Sequence, residues 1–542
     1  MGVIVDGKTY PLQASKDIPV LHSGTAPSGS YNYAKLNQAN AVVEKEPFQR
    51  HLDEKSGHTP NEFYNRTWNT QTVAELPKLM DNLPGMDRVD SPLHAKNQIP
   101  TIYLTGDQAQ IDLMHGNTTL DTRVAVDMHF IETDKITTVK DVEIKVAGQS
   151  TRLLDKLSYG LKIKKDQDLY GYRGLKLRAL RFDPSYIREI LCFDMMESMG
   201  LPVSGASYTR VIMNDQPIGL FLMIEAYKND WYKNEFGGGK KLKHGRGATY
   251  QVSGIGGDLS YFGDNITAYD GIFRVREKAD KKHGGEDASN FKQVMDFTKF
   301  LSEAPTSSDD AAKIWNEHID MDSVIRSLVI EIIAGFSDGY IANTNNFFLY
   351  DNLAEKRLTY LAADFDMTIG NTLVKLADMW AGNYTQYPGF TMRPLTQKMM
   401  QVPEFKSQFE QLLLKASKEL INEAAIHPRI DDLVKLIRED VEWDTALPKV
   451  QKMAMYDFVD FNNTEELRQI FSPPVDVDAV KDMGTRIPED LDTSVYKQSD
   501  HISLPGVTQW FSRQSKAIQD YFTQHPLPPS LVTFIIHIRI TL

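Results

Sequence analysis

The sequence predicts an α+β protein: a small all-β module, then a large body that begins as strands around one helix and ends as a mostly helical half. Three observations predict it. Short apolar runs separated by turn signals crowd the first 48 residues. Strand-like segments surround a single helical run between about 100 and 225, and from about 290 onward apolar residues recur at helical spacing. A chain of 542 residues with 41% hydrophobic and 25% charged side chains is long enough and apolar enough to bury such a body.

Taken in order, Val3, Val5 and Tyr10 flank the Asp6-Gly7 turn, and the cluster Ser23–Ser30 separates them from Tyr31–Tyr33, so residues 1–48 read as a β-sandwich-like module. Residues 49–120 are read as an extended connector rich in Asn, Pro, Asp and His, although Ile102-Tyr103-Leu104 already looks like a strand. The main domain is assigned to 121–525. Val124–Val126, Val142–Val146, Tyr159–Ile163 and Leu175–Leu177 predict an antiparallel sheet. Asp183-Pro184-Ser185 predicts the start of a helix over Tyr186–Met199, with Asp183 as cap, Pro184 in the first turn and Gly200 as stop. Tyr208–Met213 and Gly219–Glu225 form the next strands, and the Gly-rich stretch Gly237–Gly263 reads as an insertion. Helices are expected at Asn290–Leu301, Ala311–Trp315, Met321–Gly335, Glu404–Leu420, Ile430–Val441 and Gly506–Phe522, and strands at Asn346–Tyr350 and Leu358–Ala362. The tail 526–542 follows, with a final strand expected in Ser530–Leu542.

Composition excludes several function classes. Asp and Glu outnumber Lys and Arg by 73 to 60, and the net charge of −13 argues against a nucleic-acid binder. The single cysteine, Cys192, rules out an intramolecular disulfide and a multi-thiolate metal site, and its place in an apolar run predicts a small buried side chain. No run approaches the ~20 apolar residues of a membrane span, and the N-terminal MGVIVDGKTYPL lacks the pattern of a signal peptide. Neither H-E-x-x-H nor G-x-S-x-G occurs, and GGGKKLKHGRG (Gly237–Gly247) lacks P-loop spacing and reads as a mobile insertion. Sequons at Asn65, Asn117, Asn265, Asn383 and Asn462 would matter only in the secretory pathway.

The densest chemical signal runs from Asp338 to Gly370: an acid, Asn345 and Asn346, a hairpin, then Asp364 and Asp366 after an apolar strand. Two carboxylates at i and i+2 on a bent strand end can share a hard divalent cation, which needs one or two carboxylates and leaves room for phosphate oxygens. Phosphoryl transfer needs in addition a carboxylate to orient or deprotonate the attacking hydroxyl, with a metal-binding asparagine nearby, and Asp338 with Asn345 or Asn346 supplies both. A DxD after an apolar strand also serves glycosyltransferases, but these require a parallel nucleotide-binding sheet, and the upstream pattern is antiparallel. The other half of a phosphate site would be the turn Gly148-Gln149-Ser150-Thr151, with Ser150 and Thr151 over the phosphates, and Lys162 on the next strand held by Glu189 on the helix.

Tyr170–Glu225, YGYRGLKLRALRFDPSYIREILCFDMMESMGLPVSGASYTRVIMNDQPIGLFLMIE, resembles the core of the CotH family, named for spore coat protein H. So do NNFFLY (Asn345–Tyr350), LAADFDMTIG (Leu361–Gly370) and the final helix GVTQWFSRQSKAIQDYF, although Ala362-Ala363 stands where many members carry Pro-Trp. The N-terminal module and EFYNR…ELPKL (Glu62–Leu79) resemble the fungal, Mucorales-type branch, whose members sit on the cell surface and include invasins. The resemblance implies an atypical protein-kinase-like, two-lobed domain that uses ATP with Mg2+ or Mn2+ to phosphorylate Ser or Thr of a coat or cell-wall protein. Asp338 would be the catalytic aspartate, Asp364 the principal metal ligand with Asn345, Asn346 and Asp366 assisting, and Lys162, Glu189, Ser150, Thr151 and Glu225 would serve the nucleotide. It equally implies an alternative, a cell-surface or secreted invasin that binds a host receptor with catalysis vestigial.

Overall fold

The computed structural model describes residues 1–52, 57–148, 150–252, 256–280, 291–451, 460–470, 474–485 and 489–528. In the N-terminal module β1 (Gly2–Val5) and β2 (Lys8–Pro11) join through Asp6 and Gly7, both at positive φ, as the tight hairpin turn requires. A short ribbon follows, β3 (Gln13–Ala14) with β4 (His22–Ser23), and then β5 (Ser30–Leu36), β6 (Val42–Lys45) and β7 (Arg50–His51) complete the sheet. Its far edge is fastened by the buried Arg50, which pairs with Glu46 at 2.7 Å and Glu62 at 3.1 Å. Tyr31 and Tyr33 donate their hydroxyls to the same Glu62. The module thus includes β7 and is welded to the first residues of the connector.

The connector has no long element of its own, and its backbone groups are satisfied by the body it crosses. Thr67 N–H donates to Glu439 at 2.7 Å, Ala74 N–H to Asp432 at 2.8 Å and Leu79 N–H to the Ser198 carbonyl at 2.9 Å. It ends near residue 100, not 120, because β8 (Thr101–Gly106) is built into the main body. That body starts with a closed barrel of β8, β9 (Val124–Ile131), β10 (Ile136–Ala147), β11 (Ser158–Lys162), β12 (Gly174–Arg178), β13 (Ala206–Met213) and β14 (Gln216–Glu225), in the order β10-β11-β12-β14-β13-β8-β9. The neighbours are antiparallel except β8 and β13, which run parallel. Period-2 alternation sends Tyr159, Leu161, Leu175, Leu177, Phe221 and Met223 into the barrel. On the outer face Leu222 and Ile224 pack with Leu191 and Met195 of the helix Arg188–Ser198, in the core shared with the helical half.

That helix begins later than its sequence suggests. Tyr186 adopts φ 60°, which interrupts the helical path, and Asp183 does not cap it as N-cap but accepts from Arg188 N–H at 2.8 Å and from Ser185 N–H at 2.9 Å. Gly200 ends it as expected, at φ 66° and with no space for a Cβ against the Asp81 carbonyl. Cys192 on this helix is fully buried.

A second sheet, in the order β16-β15-β17-β18, comprises β15 (Thr249–Val252), β16 (Phe273–Glu277), β17 (Phe347–Asn352) and β18 (Arg357–Ala362). Its central strand β15 lies inside the stretch read as an insertion. Gly247 brings the backbone so close to the Asp351 carbonyl that a Cβ there would lie 1.9 Å from it, so the end of that stretch, Gly245–Gly247, is a packed approach to a strand, while Gly239–Lys241 and Lys243–His244 are exposed. Behind this sheet the helix Met321–Ala334 is buried along its length except at Asp322, as befits a core helix. Asp320 caps it and Gly335, in the left-handed region, closes it against the Trp510 ring. The helices Pro403–Glu419 and Val507–Gln524 pack on it, with Trp510 Nε1 donating to the Ile333 carbonyl at 3.0 Å, and Glu423–Ala446 packs on β14 and the last helix. The helix at Glu423–Ala446 starts seven residues before the expected Ile430, because Asn422 caps it and Pro428 is absorbed inside it. Asn290, and the strand expected in Ser530–Leu542, lie outside the described residues. Among the described residues no helix is long and apolar enough to cross a membrane.

Candidate functional site

Strand β12 alternates Leu175, Lys176, Leu177, Arg178, so its leucines enter the barrel and its two cations project from the opposite face. Arg178 is the hub of the site. Its Nε lies 2.8 Å from Glu189 Oε1, at the first turn of the helix Arg188–Ser198, and its Nη2 lies 2.5 Å from Asp364 Oδ1 and 3.4 Å from Asp366 Oδ2. Asp364 follows β18 with φ 66° and opens the short turn Phe365–Met367, a backbone that swings both carboxylates to one side. Burial works against ionisation of Asp364, but Arg178 and Lys176 override it and hold this carboxyl below its usual range. Burial and the Asp364 charge push Asp366 far up. The two carboxyls are therefore pushed in opposite directions, Asp364 toward its charged form and Asp366 toward its protonated one.

Asp338 stands on the turn after the helix Met321–Ala334. Asn343 and Asn345 donate their amides to its Oδ1 at 2.6 and 3.4 Å, and Asn346 donates to Oδ2 at 2.7 Å. Burial raises its pKa, the asparagine amides oppose that rise, and the nearby Asp364 adds to it. Asn346 links the two acids directly, because its carbonyl accepts from Ala363 N–H at 2.9 Å, one residue before Asp364. Under the turn lies Glu331, fully buried, whose carboxylate accepts from Tyr340 N–H at 3.1 Å, Ile341 N–H at 2.8 Å and the Tyr360 hydroxyl at 3.2 Å.

Backbone strain concentrates here. Of the non-glycine residues at positive φ, Leu180 lines this cleft, and Thr344, Asn346, Asp364 and Ile369 lie on the turns that carry or flank its acids. Each such residue costs on the order of 1–3 kcal/mol, less for Asn and Asp, and persists only where surrounding packing over-determines it. Between β10 and β11 the turn at Gly148 (φ 90°) leads into Ser150–Leu153, and Thr151 joins Arg178, Glu189 and Asp366 in lining a small cavity of about 20 Å³. The Thr151 hydroxyl is buried there without a hydrogen-bond partner among the described residues.

The fold thus gathers Asp338, Asn345, Asn346, Asp364, Asp366, Glu189 and Thr151 around one cleft. Gln149 and the Ser150 side chain lie outside the described residues. Two expectations are corrected. Lys162 does not pair with Glu189: its side chain is 71% exposed, with Glu143 4.0 Å away, because it sits one strand farther from the helix, on β11. Glu225 is turned away from Lys176 and Arg178 on the neighbouring strand, where it accepts from Ser204 at 2.7 Å and faces His94 at 3.1 Å. Sequence reasoning missed Lys176, Arg178 and Asn343. The signal for the first two was two cations alternating with leucines, and for Asn343 its position five residues after Asp338. Burial pushes Lys176 down to about 8, with Asp364 opposing and Arg178 and Arg276 reinforcing the shift, and no carboxylate of the described residues lies within 4.0 Å of it.

Burial raises the Glu331 pKa to about 7, against the pull of the Ile341 and Tyr340 N–H groups and the Tyr360 hydroxyl. The folded state then holds a proton that the unfolded chain, near 4.5, has lost. Glu331's contribution is complete below that unfolded value and is lost as pH rises toward the folded one. The loss should amount to on the order of 3 kcal/mol. Urea denaturation at pH 5 and pH 8 should show wild type losing more stability over this interval than Glu331→Gln, and equal losses would refute the assignment.

Residues 144–471 match the family model described as CotH kinase protein. Invasin CotH7 of Rhizopus delemar is 26% identical over 462 residues, covering 82% of this chain and 72% of that protein. Spore coat protein homolog 1 of the same organism is 26% identical over 464 residues, 82% of this chain and 71% of its own. Inner spore coat protein H of Bacillus subtilis is 24% identical over 304 residues, 56% of this chain and 78% of its own.

Proposed function

The chain belongs to the CotH family, and on that premise we propose that it transfers the γ-phosphoryl group of ATP to a Ser or Thr hydroxyl of a protein. The observation that carries this reading is Asp338, held by three asparagine amides beside the ion-paired Asp364, Arg178 and Glu189. Chain order supports it too. A hairpin turn, a cation-bearing strand, a helix acid, an Asp followed five residues later by Asn, and a second Asp after a strand follow one another as the working parts of protein kinases do.

The donors suit a nucleotide with a divalent ion, Mg2+ or Mn2+. Among the described residues no three His, Cys, Asp or Glu side chains form a metal cage. Magnesium, however, is commonly held by one or two carboxylates plus phosphate oxygens. Asp364 and Asp366 already share a cation, the Arg178 guanidinium, and the unpartnered Thr151 hydroxyl suits a phosphate oxygen. Asp364 would hold the ion, with Asp366 and Asn346 assisting; when bound, the ion neutralises charge on the phosphate oxygens. Lys176 binds the phosphates, and Arg178, braced by Glu189, fixes the two aspartates. Asp338 accepts the proton as the substrate oxygen forms its bond to the γ-phosphorus and the bond from that phosphorus to the bridging oxygen breaks, releasing ADP.

Purified protein with γ-labelled ATP and Mg2+ or Mn2+ is expected to label itself or an added coat or cell-wall protein. Lys176→Met should lower the labelling rate at least tenfold, the scale of one lost charge-assisted phosphate contact, whereas Lys162→Met should leave it unchanged. Absence of labelling by wild type would overturn the reading. The invasin relatives favour a second one, a surface or coat protein that binds a host receptor. It predicts host-cell binding that persists without ATP and in Lys176→Met.

A further inference from the structure

A second unpaired cation lies close to Lys176, and it comes from the other sheet. Thr249 pairs with Glu277 and Tyr250 with Val275, so Arg276 is the extra residue of a β-bulge on β16, the edge strand. A bulge of this kind re-aims a side chain, and bulges are enriched beside active sites. Three neighbouring cations are engaged. Arg274 donates to Gln251 at 2.8 Å, Lys228 pairs with Glu277 at 2.6 Å and Arg246 with Glu277 at 3.3 Å. Arg276 alone of this group makes no hydrogen bond or ion pair with its guanidinium among the described residues.

Its position relative to Lys176 follows from how the two sheets are tied. Lys228, held by Glu277, packs so closely on Gly174 that a Cβ there would lie 3.3 Å from Lys228 Cγ, and Ala226 N–H donates to the Gly174 carbonyl at 2.9 Å. The end of β16 is therefore pinned beside the start of β12, two residues before Lys176. The Arg276 charge also bears on Lys176, which it helps to hold down. Two like charges so placed, neither in an ion pair among the described residues, are unfavourable unless an anion completes them.

We infer that Arg276 is a phosphate-binding residue that reaches from the second sheet into the cleft Lys176 lines from the barrel, so that the site takes a ligand with adjacent phosphates, such as a nucleoside triphosphate. This rests on the phosphoryl-transfer reading. Guanidinium suits the task because its planar fork can grip two phosphate oxygens at once.

The test is calorimetric binding of magnesium with inorganic triphosphate, and separately of adenosine, to the full chain. Wild type is expected to bind triphosphate. Arg276→Met and Arg276→Gln should weaken it roughly tenfold to a hundredfold, the scale of a lost charge-assisted contact, while Arg276→Lys retains part of the affinity and adenosine binding does not change. Wild-type triphosphate affinity in Arg276→Met, with affinity lost in Lys176→Met, would overturn this inference and leave the phosphoryl-transfer reading standing. Failure of wild type to bind triphosphate or ATP would overturn both. Melting midpoints are compared first, and collapse of the fold in Met and Gln variants alike would also overturn the inference, because it would give Arg276 a structural role.

Discussion

Asp338→Asn is expected to reduce labelled-phosphate transfer by roughly a hundredfold to ten-thousandfold, the range for loss of a positioned general base, with triphosphate affinity changed less than severalfold. The substitution keeps size and shape. Asn343 donates to one carboxylate oxygen at 2.6 Å and Asn346 to the other at 2.7 Å, and an asparagine amide can rotate to present its own oxygen wherever residue 338 now presents an NH2. The turn should survive, because Glu331 holds its backbone from below through Tyr340 and Ile341. What is lost is the ability to accept a proton. A variant that binds triphosphate and transfers at the wild-type rate would remove Asp338 from the chemistry.

Arg188→Met should be among the most destabilising single changes in the protein, by about 3–5 kcal/mol, because it strands a buried carboxylate. Arg188 is fully buried; its Nη1 lies 2.6 Å from Asp183 Oδ1, and its other nitrogens donate to the Ile369 carbonyl at 3.2 Å and the Pro505 carbonyl at 2.5 Å. These bonds tie the Asp183 loop, the strained turn at Ile369 and the approach to the last helix at one point. Asp183→Asn combined with Arg188→Met should be less destabilised than the sum of the two single changes, since the double variant no longer buries an unpaired charge. Denaturant midpoints of the four proteins give the coupling, and strict additivity would refute this account.

The elements with strong periodicity were legible in the sequence. The apolar run Met321–Ala334 and the alternating strands Ala206–Met213 and Gln216–Glu225 follow directly from which residues need burial. β15 was not legible, because four residues among glycines carry little pattern and its pairing with β17 is a long-range fact. The helix at Glu423–Ala446 appeared to start at Ile430 because Pro428 reads locally as a break, and only the surrounding packing overrides it.

The candidate site divides the same way. Sequence by itself determined the acids: Asp338, Asp364 and Asp366, with Asn345 and Asn346, are fixed by local spacing around one hairpin. Tertiary structure decided which cations meet them. Lys162 and Lys176 are both strand lysines, and no local pattern separates them. They face the same side of adjacent antiparallel strands, and only the packing of the helix Arg188–Ser198 against β12 and β14 leaves the first in solvent and brings the second under the charge of Asp364. Arg178, and not a lysine, took Glu189 because it ends the strand where that helix and the Asp364 turn converge. Charge pairing between elements distant in the chain is set by closure of the barrel and docking of the second sheet, and one-dimensional spacing carries no record of either.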